Sequence, residues 1–202
     1  MLELPHDLLA AAPPPATPRL AARYNQLLDT AARFATLDYP EVDVTLIASE
    51  ANVSSSTAYR FFPSAAHLLL ALHRRQLLEL RERVDQRAGR AQDRTQRVRH
   101  LVGAAIELFH MRLAQPAVNS CLDELIVPAD HDLAALIGEV DELSWSVLGR
   151  LAGGAERGRN VVLVISGLVT AVRTGRLLPL EAEQQLKASC ELVAKTPSLP
   201  LR

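Results

Sequence analysis

Val44-Thr45-Leu46-Ile47-Ala48-Ser49-Glu50-Ala51-Asn52-Val53-Ser54-Ser55-Ser56-Thr57-Ala58-Tyr59-Arg60-Phe61-Phe62 decides the fold of this chain. It reads as two short helices joined by a turn of three or four residues, which forces them to cross steeply. Such a crossing needs a small residue where the helices touch, and Ala48 supplies it. Apolar contacts come from Ile47, Ala51, Val53, Ala58 and Phe61. The turn needs a residue that accepts positive φ, and Asn52 is the most tolerant choice after Gly. Ser54 then stands where it can cap the second helix.

The pattern stays helical on both sides of this motif. Leu20, Leu27, Leu28, Ala31 and Phe34 recur at helical spacing up to the break at Asp38-Tyr39-Pro40. Downstream, Ser64 caps a long helix with a Leu70, Leu77, Leu80, Val84 stripe, ended by Gly89. Another helix carries Val98, Val102, Ala105 and Phe109 and stops at Pro116; a short one over 117–126 is closed by Pro128. Asp130 or Asp132 caps the next, whose stripe runs from Leu133 through Val140 to Leu151 before Gly153-Gly154. Two last helices, about 156–174 and 180–195, are separated by Gly175 and Pro179. No period-two pattern competes. The fold class is therefore all-α with about nine helices. A proline-rich arm over 1–18 precedes a three-helix bundle over 19–63 and a larger helical domain over 64–202.

Composition narrows the function. Hydrophobic residues make up 49% of the 202, so a large core is available, but aromatics are only 4% and Ala, Leu and Val must build it. A net charge of −1 gives no global polyanion signature, and a nucleic-acid partner would need a local basic patch. Cys121 and Cys190 are too few and too far apart for a disulfide framework or a zinc site. The amino terminus has no basic segment followed by an apolar one, and the apolar run from Val161 to Val172 is too short to span a bilayer. A soluble, cytoplasmic protein is expected, with no membrane partner. No Ser/His/Asp set, glycine-rich phosphate loop or carboxylate pair has catalytic spacing, so neither an enzyme nor a cofactor or metal site is expected.

The outward face of the second motif helix carries Ser55, Ser56, Thr57, Tyr59 and Arg60. Short polar groups reach base edges in a major groove, and longer ones hold phosphates. Here the chain resembles the TetR family of regulators. The family pattern has an Ile-Ala pair, Ala-Gly-Val-Ser, Thr-Leu-Tyr, an aromatic with Phe, and a Ser-Lys-Glu-x-Leu helix start. This chain reads Ile47-Ala48, Ala51-Asn52-Val53-Ser54, Thr57-Ala58-Tyr59, Phe61-Phe62 and Ser64-Ala65-Ala66-His67-Leu68. The resemblance implies a homodimer that binds a palindromic DNA operator as a repressor and is released by a small-molecule effector. Thr45, Ser54, Ser55, Ser56, Thr57, Tyr59 and Arg60 would form the DNA surface. Ala65 stands where relatives carry a phosphate-binding Lys, and His67 or Arg19 is the candidate replacement.

The later helices are expected to hold the dimer seam and an effector pocket. The Val161 to Val172 helix is apolar nearly all round, so one side suits its own domain and the other a partner. With the stripe on the last helix, the resemblance implies a seam of Val164, Gly167, Leu168, Leu186, Cys190 and Val193; burial inside one subunit is the alternative. Phe109, His110, Arg112, Asn119, Cys121 and Trp145 lie on helices that line the effector cavity in similar proteins. Trp145 leads because its indole N–H needs a partner, and a largely hydrophobic effector fits the Leu, Val and Ala surroundings. The arginines from Arg74 to Arg99 alternate with Glu79, Glu82, Asp85 and Asp93, which predicts intrahelical pairs on a solvated face. Two alternatives stay open: a helical interaction protein of this fold that has lost DNA binding, and a regulator of this fold without a ligand.

Overall fold

Pro18 opens the first helix at a position where its missing N–H costs nothing. The computed structural model describes residues 17–36, 42–124 and 131–195. The rest of the arm and the Asp38-Tyr39-Pro40 break lie outside them. Among the described residues there are nine helices and no strand: α1 (Pro18–Ala35), α2 (Val44–Glu50), α3 (Ser55–Phe61), α4 (Ala65–Arg90), α5 (Arg94–Leu113), α6 (Pro116–Glu124), α7 (His131–Ala152), α8 (Ala155–Arg173) and α9 (Pro179–Lys195).

Contacts divide the chain into two units, and both α4 and α7 are shared between them. The first takes Met1–Arg75 with Ala114–Val140. Its core joins Leu27, Leu28 and Ala31 of α1 to Ile47 and Ala48 of α2 and Ala58 of α3, all essentially without solvent exposure. Tyr24 closes one side, its ring edge-on to Phe61 at 5.6 Å and tilted against Phe62 at 5.0 Å. Burial raises the Tyr24 phenol above its ordinary pKa, partly opposed by Arg74 and Arg75.

The second unit takes Gln76–Leu113 with Asp141–Arg202. Here α5, α8 and α9 pack on one another around Leu101, Leu108, Phe109, Val161, Ile165 and Leu186. Gly153 (φ +90°) and Gly154 (φ +146°) turn the chain between α7 and α8, in backbone conformations that L side chains rarely adopt. The two helices then cross with backbones in contact. A Cβ on Gly158 would meet the Trp145 carbonyl oxygen and lie 2.5 Å from the Gly149 nitrogen.

The arginine stretch is paired differently from the expectation. Arg83 and Arg87 of α4 reach Glu107 of α5 at 2.6 and 3.1 Å, and Asp85 of α4 meets Arg150 of α7 at 2.8 Å. In the first unit Arg74 pairs with Glu139 and Arg75 with Asp29. These pairs tie helix to helix, whereas neighbours on one helix had been expected. Each is partly exposed and contributes little alone, about 0–1 kcal/mol.

Candidate nucleic-acid interface

Each local choice in the motif has a visible partner. Asp43 caps α2 by accepting from the Leu46 N–H at 3.4 Å. The turn closes through Asn52 N–H to Ser49 O (3.1 Å) and Val53 N–H to Ala48 O (2.9 Å). Asn52 has φ +51°, the one positive value on a residue other than Gly among those described. Ser54 caps α3, its oxygen accepting from the Thr57 N–H at 3.4 Å and lying 2.8 Å from the Thr57 hydroxyl.

The cap leaves one face of α3 open. Ser55, Ser56 and Arg60 are exposed, Tyr59 is 44% exposed, and Thr57 is partly covered. Thr45 of α2 is exposed beside them, with its hydroxyl 3.2 Å from the Tyr59 hydroxyl. Seven of the eight candidate DNA-binding residues, including the exposed cap Ser54, thus come together on α2, α3 and the turn between them. His67 does not join them. It is 3% exposed, and its Nδ1 lies 2.9 Å from the Ser64 hydroxyl, inside the first turn of α4. A capping partner one turn back draws the ring inward. Arg60 is the only basic side chain on α2 and α3, and Arg19 is exposed at the start of α1.

The candidate effector residues scatter. Asn119 and Cys121 belong to the first unit, whereas Phe109, His110, Arg112 and Trp145 belong to the second. Asn119 is buried and donates to Gln115 O at 3.2 Å. Phe109 is wholly buried, and exposed His110 lies 2.9 Å from Glu183. Arg112 is 7% exposed and donates to the Ser166 hydroxyl at 2.6 Å. Trp145 is partly buried beneath the Arg159 guanidinium, 4.9 Å from its ring centre. Burial lifts the Asp141 carboxyl above its ordinary pKa, with Arg112 and Arg159 opposing. None of the six candidates lines the cleft of about 680 Å³ between α5 and α9, whose walls include Val98, Val102, Arg99 and Lys187.

The candidate seam residues also divide. Leu168, Leu186 and Cys190 are buried within the chain, and burial pushes the Cys190 thiol up to about 12. Val164 and Val193 are half-buried, and Gly167 is exposed with open space where a Cβ would stand. Three leucines of these helices that the periodicity did not single out are exposed: Leu163 of α8 (57%), and Leu180 and Leu192 of α9 (65% and 67%). Their signal in the sequence is only a leucine out of phase with the main stripe. Among the described residues no helix is long and apolar enough to cross a membrane, and no group of three His, Cys, Asp or Glu is placed to hold a metal.

No family model matches the chain. It is 27% identical over 135 residues to the HTH-type transcriptional repressor KstR of Mycobacterium tuberculosis, covering 66% of this chain and 60% of that protein. The KstR of Mycolicibacterium smegmatis matches at the same identity, covering 65% of its length. The chain thus spans less than two thirds of these curated relatives. A TetR transcriptional regulator from Rhodococcus sp. RHA1 superposes with a TM-score of 0.69 at 22% identity, covering 89% of this chain and all of that one. FadR of Bacillus subtilis, solved with stearoyl-CoA, gives 0.58 at 17% identity, covering 85% of this chain and 98% of that one. This chain shares its fold with the TetR-family transcriptional regulators.

Proposed function

We propose that the protein is a DNA-binding transcriptional regulator, acting as a homodimeric repressor on a palindromic operator in the cytoplasm. The observation that carries this reading is the exposed row Ser55, Ser56, Tyr59 and Arg60 on α3, held by the Ser54 cap and braced by Thr45. A helix so presented offers hydroxyls and one guanidinium to base edges and phosphates. Residues 19–63 form the reading part, with 1–18 as an arm and 64–202 serving control and dimerisation. The repressor names of the 27%-identical relatives support the same reading. The chain carries no catalytic function in this scheme.

Dimerisation is assigned to the outer faces of α8 and α9, where Leu163, Val164, Gly167, Leu192 and Val193 leave apolar surface. Effector control is assigned to the second unit, with Arg112 and Trp145 as first candidates and a largely hydrophobic small molecule as ligand. The stearoyl-CoA complex of a protein with this fold supports that assignment. Fluorescence anisotropy with DNA flanking the gene, at one fixed salt concentration, tests the reading. Saturable binding of one flanking sequence over shuffled DNA is expected. Equal, weak binding to both sequences overturns it in favour of an interaction protein that has lost DNA binding.

A further inference from the structure

The cleft between α5 and α9 has a composition that nothing in the DNA-binding scheme uses. Val98 and Val102, one helical turn apart on α5, remain half-exposed at its floor, while Leu101, Ala105 and Phe109 further round the helix are sealed into the core. Its volume, about 680 Å³, falls in the range of small-molecule sites, roughly 300–1,000 Å³.

The charged rim is one-sided. Arg94 and Arg99 approach from α5 and Lys187 and Lys195 from α9, against the single carboxylate of Glu191. Arg94 donates to the Ala194 carbonyl at 2.6 Å and closes one end. Arg99, Lys187 and Lys195 have no ion pair among the described residues, unlike Arg74, Arg75, Arg83, Arg87 and Arg150. Among the 22 basic residues of the chain, Lys187 and Lys195 are the only lysines. They stand two turns apart on one stripe of α9, about 12 Å along the helix. A lysine offers a mobile point charge, where arginine offers a fixed fork. Three uncommitted cations over an apolar floor ask for a ligand with the opposite charge and an apolar body.

We propose that this cleft is a second ligand site, distinct from Arg112 and Trp145, that binds a free single-chain acyl carboxylate. The chain lies on Val98 and Val102, and the carboxylate pairs with Lys187 and Arg99. Because the rim is exposed, the charge contribution is screened by salt, and the apolar floor supplies the remainder.

Titration calorimetry with dodecanoate, below its micelle concentration, tests the assignment on the full chain. Saturable binding at one ligand per chain is expected, weaker at high salt. The double variant Arg99→Gln, Lys187→Gln should bind about tenfold more weakly with an unchanged melting temperature. Val102→Asn should also weaken binding. Equal affinity in wild type and the double variant overturns the proposal, as does equal binding of dodecanol, which lacks the charge. Binding seen only with anionic phospholipid vesicles also overturns it, since it would make the surface a membrane contact.

Discussion

The hydroxyls of Thr45 and Tyr59 lie 3.2 Å apart, so one hydrogen bond links the two helices of the motif on their exposed side. The bond holds the phenol of α3 against α2. Thr45→Ala and Tyr59→Phe should therefore each weaken DNA binding by a few-fold, in line with about 0.5–1.5 kcal/mol for a net hydrogen bond. The double variant should lose less than the sum of the two. Anisotropy at fixed salt measures all four corners of the cycle. Strict additivity would mean that each hydroxyl acts on DNA alone.

Asn52 sits at φ +51°. Asn52→Gly should leave the melting temperature unchanged or raise it. Asn52→Val should cost about 1–3 kcal/mol, since a branched side chain is strained in the left-handed region. Thermal unfolding followed by circular dichroism compares the two. A Val variant as stable as wild type would contradict the turn conformation.

A Cβ at Gly167 meets nothing within 4 Å, so Gly167→Arg should fold normally and yet sediment as a monomer. Leu192→Glu should behave alike, because that leucine is 67% exposed. Leu186→Ala should act in the opposite way, costing about 2–5 kcal/mol of stability by emptying a wholly buried position. An intact dimer in both exposed-face variants would move the interface off α8 and α9.

Asp141 is held above its ordinary pKa by burial, against the pull of Arg112 and Arg159. Its neutral form is the one the fold favours. The stabilising contribution is thus present below the ordinary carboxylate pKa and is lost as pH rises through the folded value. Asp141→Asn should melt above wild type at neutral pH, and the gap should close as the solution is acidified below that ordinary range. A gap that widens in acid would reverse the assignment.

Local chemistry was legible in the sequence wherever a residue answers to its own backbone. Asn52 and Ser54 could be assigned because positive φ and an open helix terminus are demands made within three or four residues. Gly153-Gly154 and Pro116 marked helix limits for the same reason. What depended on distant partners was not legible. Glu107 draws Arg83 and Arg87 from 24 and 20 positions away, and a helical wheel shows only neighbours along one helix. On α9 the strongest stripe, Leu186 and Cys190, is buried within its own unit, and the spacing of apolar residues along one helix does not distinguish such a face from one turned to a partner. The candidate pocket residues follow their helices, and α6 belongs to the first unit whereas α5 and the later part of α7 belong to the second.

The crossing of α7 and α8 at Gly149 and Gly158 has a mechanical side. With no side chains between the backbones there, the pair has no cushion to shear across, and the seemingly pliant Gly153-Gly154 joint is clamped from both flanks. A ligand lodged against this glycine crossing would meet backbone on both sides, with no side chain there to change rotamer and give way.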